Sequence, residues 1–424
     1  MVKSLKKRLG ILLGVVCAVL LVVACAPAAP TTEAPAEKEI KLGIQLITTG
    51  PFASVMERTT SGPLLYLQYL NDELGGIEYK DPITGETDNV KLDLVWEDNG
   101  YNAARAIAIY KRQKAAGVQV MMVNGSVGAE AVARMQVRDR MPNCAVYSSM
   151  TEVLYSRYLL TDRDSPVDQI GVFIDWVMDN WSEPRPPRVG VIAIDVASYR
   201  PFGNPEQLPA YASMKGAELV GIEWHPATST DFTLEVTRLI EKEVDWVYFS
   251  STTAVAAMIL KDANRLGFLD KAKWCNIVGS SSEEIIEMAG PISEGFYMQI
   301  MTALPTQKDI AGVQLAEHIW KEYRNEPLNL TRMQCIPGAI FLSEALKTSL
   351  EEVGYENLTS EDIRDGLFSV KEVDCQGIIP PITIDPEWPI FNPYVGMAQV
   401  KGGKIEPISE FYKYPGIMRG LLGH

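Results

Sequence analysis

The sequence predicts an α/β protein of two lobes, each built on a parallel sheet, and three observations carry the prediction. Short apolar strands alternate with helical segments along most of the chain, which is the pattern of a parallel sheet wrapped on both faces. The same alternation restarts after the break Pro184-Arg185-Pro186-Pro187. Finally, Val118 to Val132 (VQVMMVNGSVGAEAV) and Val244 to Met258 (VDWVYFSSTTAVAAM) are alike in kind. Each is an apolar strand, a Gly/Ser/Thr loop and an alanine-rich helix. Laid together, Ser126 falls on Thr252 and Gly125 on Ser251. Each lobe would then aim a hydroxyl and a helix N-terminus from the C-terminal edge of its sheet, the edge where open parallel sheets bind ligands. The alternative is that Ser126 and Thr252 only cap their helices.

In order, Ile40 to Leu46 alternates as a strand and Thr48 to Thr60 reads as a loop. Pro63 suits the first turn of a helix whose Leu64, Leu67, Leu70 and Leu74 share one face, ended by Gly75-Gly76. Tyr79 to Asn89 is a turn-rich excursion, and Val90 to Trp96 is the next strand. Asn102 caps a helix through Gln113. Val118 to Val123 is a strand, Gly125 to Arg138 a helix and Cys144 to Tyr147 a strand. After the proline break, Arg188–Ile194, Val220–Trp224, Val244–Phe249 and Trp274–Val278 read as strands. Leu208–Glu218, Phe232–Lys242 and Thr253–Leu266 read as the helices between them. Helices close the pattern at Ile310–Tyr323, Pro337–Val353 and Thr359–Ser369, the last with Thr359 and Asp362 placed as a capping pair. Prolines in the stretch from Gly377 argue against a central strand there.

The N-terminus is of another kind. Lys3, Lys6, Lys7 and Arg8 precede an apolar run from Leu9 to Ala24, shorter than the ~20 residues that span a bilayer. Val22-Val23-Ala24-Cys25 resembles a bacterial lipobox, which would make Cys25 the lipidated first residue of a mature chain. A plain signal peptide or a short membrane anchor is the alternative. Residues 25–39, rich in Ala, Pro and Thr, have too few large apolar side chains for a core and read as a tether. Beyond residue 24 remain 400 residues, enough for two domains, with 35 basic against 54 acidic side chains. That charge excludes nucleic acid and anionic lipid surfaces as natural partners. Cys144, Cys275, Cys335 and Cys375 match no zinc spacing. Cys144 and Cys275 read as buried thiols, and Cys335 with Cys375 is the one disulfide pairing suggested.

From Ile40 onward the chain resembles the type I periplasmic binding proteins, and within them the branched-chain amino-acid (Leu/Ile/Val) substrate-binding proteins of ABC transporters. IKLGIQLITTGPFAS resembles the opening strand and first ligand loop, YLNDELGGI the helix ending in Gly-Gly, and LDLVWEDNGYNAARAIA the second strand and helix. Arg188 to Tyr199 and Val247 to Ala254 resemble the second-lobe strands and loops. The likeness covers most of residues 40–300 and thins toward the C-terminus. It implies two Rossmann-like lobes joined by three crossovers, near Asp162, Tyr297 and Gln376. Lobe I would take 40–162 and 298–375, and lobe II 163–297 and 376–424.

The resemblance also implies a function: an extracytoplasmic lipoprotein that captures an amino acid or related small carboxylate or amide between its lobes. It would deliver that solute to a membrane permease, as a monomer held to the membrane through Cys25. A sensing receptor of the same fold is the alternative, and an extracytoplasmic hydrolase a distant third. Ser126, Ser149 and Thr151 match the positions that hold the ligand carboxylate, and Tyr199 the second-lobe tyrosine. Phe52 could pack on ligand. Three positions depart from the pattern: Val55 and Thr252 stand where tyrosines are usual, and Ser281 where a glutamate holds the ligand ammonium. Glu283 is the nearby alternative, and Asp98 or Asp195 could also replace that charge.

Nothing in the sequence points to an enzyme, a cofactor or a metal. His225, His318 and His424 are the only histidines, and none lies near a nucleophile motif. Gly-x-Ser-x-Gly, a phosphate loop and His-Glu-x-x-His are all missing from the chain.

Overall fold

In the computed structural model, the described residues are 37–50, 53–146, 148, 157–195, 199–204 and 206–421, without the side chains at 54, 55 and 57–59. Six strands build the first sheet: β1 (Glu39–Leu46), β2 (Ile77–Lys80), β3 (Thr87–Asp98), β4 (Val120–Val123), β5 (Asn143–Ala145) and β6 (Leu159–Thr161). Their order is β2-β3-β1-β4-β5-β6, parallel throughout except that β2 pairs antiparallel with β3. The turn-rich excursion is therefore a hairpin that widens the sheet. The second sheet holds β7 (Arg188–Ile194), β8 (Glu218–His225), β9 (Trp246–Ser250), β10 (Lys273–Asn276), β11 (Tyr297–Ile300), β12 (Tyr394–Lys401) and β13 (Lys404–Pro407), with β14 (Tyr412–Lys413) beside β12. Its order is β13-β12-β11-β10-β9-β7-β8.

Helices of eight residues or more are α1 (Ala53–Asp72), α2 (Ala103–Ala115), α3 (Ser126–Asp139), α4 (Pro166–Asp179), α5 (Leu208–Lys215), α6 (Thr233–Glu241), α7 (Thr253–Arg265), α8 (Ala311–Arg324), α9 (Ile336–Val353) and α10 (Ser360–Ser369). In the first lobe, α1, α8, α9 and α10 cover one sheet face with Leu67, Trp320, Phe341 and Leu367, and α2 and α3 cover the other with Tyr110 and Val132. In the second, α6 and α7 pack on one face and α4 and α5 on the other. This is the type I periplasmic-binding-protein architecture. Among the described residues, no helix is long and apolar enough to cross a membrane.

Asn102 caps α2 by accepting from the Arg105 amide, and Thr359 with Asp362 forms a complete capping box on α10. Helix α1 departs from expectation. It begins at Ala53, inside the stretch read as a loop, and carries Pro63 in its interior. Proline removes one helical hydrogen bond. Leu64, Leu67 and Leu70 buried on the same face hold the helix together regardless. The Thr60 hydroxyl also bonds back to the Met56 carbonyl at 2.7 Å.

Three connectors join the lobes. The first follows β6 through Asp162–Ser165, the second follows β11, and the third follows Phe391. That third one corrects the crossover read near Gln376, because Ile378, Ile379, Ile382, Ile384 and Phe391 all pack in the first lobe's core. The chain enters the second sheet only at β12. Between β11 and β13, antiparallel to both, β12 is interior to the sheet. Proline did not prevent it, because Pro393 precedes the strand and Pro407 falls in β13. The connectors are tied to one another: Phe391 N donates to Thr161 O at 2.9 Å and Asn392 Nδ2 to Met301 O at 3.0 Å. Beyond β13 the chain returns to α4, where Asp168 accepts from the Ile417 and Met418 amides.

Cys144, Cys275, Cys335 and Cys375 are all free and buried. The Cys335–Cys375 pairing is therefore not formed. Both thiols lie in the apolar core of the first lobe, where burial pushes them well above the usual thiol range.

Candidate functional site

The site begins with a turn that Asp98 organises at the end of β3. Its carboxylate accepts from the amides of Thr48 (2.9 Å), Thr49 (3.3 Å) and Gly100 (3.0 Å) and from the Thr49 hydroxyl (2.5 Å), and it pairs with Arg105 at 2.9 Å. Burial pushes this carboxyl up. The Thr49 hydroxyl and the amides of Thr48, Gly100 and Thr49 outweigh it and bring the pKa to about 2. Asp98 is thus the lock of its own loop. Asn99 continues the turn, accepting from the Tyr101 amide at 2.9 Å and donating to Asn124 O at 3.1 Å.

Tyr101 takes a left-handed φ of 56° in this turn, and its phenol lies 2.9 Å from the Ser126 hydroxyl. Gly125, between β4 and α3, has a φ of 85°. A Cβ there would stand 2.5 Å from Ile47 Cδ1 and 3.2 Å from the Tyr101 ring, so only glycine lets the ring close over the strand end. Beside it, Asn124 is fully buried, and neither its side-chain nitrogen Nδ2 nor its side-chain oxygen Oδ1 has a partner among the described residues. Ser126 opens α3, whose first amides have no helical acceptors.

The second lobe repeats the construction at the end of β9, one residue out of step. Thr252 is the cap of α7, accepting from Val255 N at 3.3 Å, whereas on α3 the cap position is Gly125 with no side-chain bond. The capping role thus applies to Thr252 and not to Ser126, and Asn124 corresponds to Ser251 rather than to Ser250. Ser251 is buried, and its hydroxyl also lacks a partner among the described residues. Tyr199 stacks on Phe202 with ring centroids 5.8 Å apart. Burial pushes the Tyr199 phenol up, Ser250 and Arg163 draw it back, and Tyr101 pushes it further. Arg163 is itself buried and paired with Asp162 at 2.5 Å.

The structure thus brings Gly125 and Ser126 together with Tyr101, and packs Tyr199 against the core of the second lobe. Ser281 is buried and donates to Gln299 O at 2.5 Å, which ties its loop to β11. Glu283 accepts the Leu330 amide on both oxygens, at 2.8 and 3.1 Å, and Asp195 pairs with Arg200 at 3.2 Å. Phe52, Ser149, Thr151 and Cys25 lie outside the described residues, as does the Val55 side chain. Sequence reasoning did not single out Tyr101, Asn124, Ser251 or Arg163. Two of them had a local signal, since Asn124 and Ser251 lie in the strand-end loops that the internal similarity sets side by side.

Two α/β lobes joined by three connectors, each lobe carrying a helix start at the C-terminal end of a parallel strand, have the architecture of a bilobal binding protein. The chain belongs to the periplasmic binding protein family, whose model matches residues 39–404. No curated protein matches the sequence. Among solved structures, the chain is similar to a branched-chain amino acid ABC transporter protein from Thermus thermophilus with bound valine (17% identity, 92% of this chain and 100% of that one, TM-score 0.73). It is similar also to a fatty acid ABC transporter substrate-binding protein from Thermomonospora curvata (19%, 90% and 94%, TM-score 0.70). A third is a solute-binding protein of an ABC transporter from Rhodopseudomonas palustris BisB5 in complex with 3,4-dihydroxybenzoic acid (16%, 90% and 99%, TM-score 0.70). Family membership implies an extracytoplasmic location.

Proposed function

We propose that this chain is the lipid-anchored substrate-binding component of an ABC importer, binding a small carboxylate or amide in the cleft between its lobes. The observation that carries this is the pairing of Asn124 beside the start of α3 with Ser251 beside the start of α7. Both carry buried polar side chains without partners among the described residues, and both stand at helix starts that favour an anion or a carbonyl oxygen. Gly125, Ser126 and Thr252 belong to the same strand ends and Tyr199 to the loop after β7, with Phe52, Ser149 and Thr151 as further contacts of the first lobe. Valine, a fatty acid and dihydroxybenzoic acid, named for the three similar structures, share a carboxyl group and little else.

Asp98, Asp195 and Glu283, the carboxylates that could replace the family's ammonium partner, are each engaged within the protein. A buried ammonium without such a partner is costly. This favours a carboxylate or amide without a free amine over an amino acid. A thermal-shift panel tests this with valine, valinamide, 2-oxoisovalerate, short fatty acids, hydroxybenzoates and urea, because a ligand of the native state raises the melting temperature. Des-amino carboxylates or amides should shift the melt more than the parent amino acids. A panel in which none of them shifts it would sink the reading. Turnover of any of them by the purified protein would point to a hydrolase instead.

A further inference from the structure

Between α8 and α9 the chain leaves the first lobe and returns to it. Helix α8 ends at Asn325 in a left-handed conformation, a short helix spans Leu330–Met333, and α9 follows. Both flanks are rooted in the first lobe, where Trp320, Met333 and Ile336 are buried in its core. Arg332 holds the excursion in shape. Its carbonyl accepts from Trp320 Nε1 at 3.2 Å, its guanidinium lies 5.0 Å over the Trp320 ring, and it bonds to Glu326 and the Pro327 carbonyl. Asn329 caps the short helix by accepting from the Arg332 amide at 2.9 Å.

Leu330, at the tip, does not join that core. It is fully buried in the second lobe's cluster with Val255, Ile285 and Phe296. Its amide donates to both carboxylate oxygens of Glu283, which belongs to the second lobe and directly precedes the helix Glu284–Ala289. A segment held rigidly by one lobe thus plugs an apolar side chain and a charge-assisted hydrogen bond into the other.

We propose that Leu330 and Glu283 form an interlobe latch that sets the balance between closed and open forms. Opening the lobes away from this segment exposes the Leu330 side chain to water and strips the Glu283 carboxylate of its donor. Both changes disfavour the open form. A closed form already populated without solute raises the apparent affinity for every solute alike. Glu283 and Leu330 are positioning residues in this scheme, and the latch depends on the two-lobe fold rather than on the solute's identity.

The test needs no ligand. Wild type, Leu330→Ala, Glu283→Ala and Glu283→Gln are compared by small-angle scattering and by hydrogen exchange read on peptides. Leu330→Ala and Glu283→Ala should raise the radius of gyration. They should also speed exchange in the connectors around 162–165, 301–304 and 391–394, as well as in 325–333. Glu283→Gln, which still accepts from the amide, should lie between wild type and Glu283→Ala. Should Leu330→Ala fail to fold, Glu283→Ala alone decides, because it leaves the apolar cluster whole. Faster exchange confined to 325–333, with an unchanged radius of gyration, would reduce the contact to a local one and overturn the proposal. That result would leave the solute-binding reading standing.

Discussion

The phenol of Tyr101 lies 2.9 Å from the hydroxyl of Ser126, joining the turn after β3 to the first residue of α3. This hydrogen bond fixes where the Ser126 oxygen sits relative to the helix start. Tyr101→Phe and Ser126→Ala should each weaken binding of whichever carboxylate or amide shifts the melt by about five- to tenfold, on the order of 1 kcal/mol for one hydrogen bond. The double variant should lose less than the sum, since the two groups act as one. Titration calorimetry on the four proteins checks both statements. The melting temperature without solute should hardly change.

Gly125→Ala should destabilise the protein even though it adds only a methyl group. The new Cβ meets Ile47 at 2.5 Å, and the backbone already stands at a positive φ of 85°. A loss of about 1–3 kcal/mol, the usual range for overpacking or backbone strain, should appear as a lower urea midpoint with an unchanged slope.

Asp98 predicts a pH dependence. Its pKa of about 2 lies below the ordinary 3.8, so the folded state releases its proton more readily than the unfolded state does. The resulting stability is complete above pH ~4 and disappears as pH falls through the range from ~4 to ~2. A shift of nearly two units corresponds to roughly 2 kcal/mol. Asp98→Asn should flatten this part of the acid-unfolding curve. Buried Asp164 and Asp168 work in the opposite direction, since desolvation raises both and their contribution falls as pH rises above ~4. They are untouched in the variant, so the difference between the two curves reports Asp98.

Cys144, Cys275, Cys335 and Cys375 should be inert to a thiol reagent in the native protein and react without prior reduction once urea is added. Mass spectrometry after labelling in urea, with no reductant, should find all four modified. A Cys335–Cys375 disulfide would leave that pair unlabelled.

Much of the fold was legible because its signals are local. Alternation in Ile40–Leu46, the cap at Asn102 and the Thr359–Asp362 pair each depend on residues within a turn or two. The misreadings arose where distant packing overrides a local rule. Pro63 marks a helix start by sequence, yet Leu64, Leu67 and Leu70 after it are anchored in the core and the helix runs through it. Residues 376–391 have no period of two or of 3.6, so nothing in the sequence told which lobe they join. The same division holds at the site. Gly125 and Ser126 were visible through the internal similarity, although its register hid that Gly125, not Ser126, corresponds to Thr252. Tyr101 was invisible as a site residue because its position depends on Asp98, Asn99 and Gly125 acting together.

The late third connector bears on how the molecule is made. The core of the first lobe is unfinished until Phe391 has been synthesised, and the second sheet lacks its interior strand until β12 follows. A polypeptide emerging from its N-terminus therefore carries two incomplete halves for nearly its whole length, and stays threadable until the last tenth appears. For a protein destined to leave the cytoplasm, that delay keeps the translocation route open.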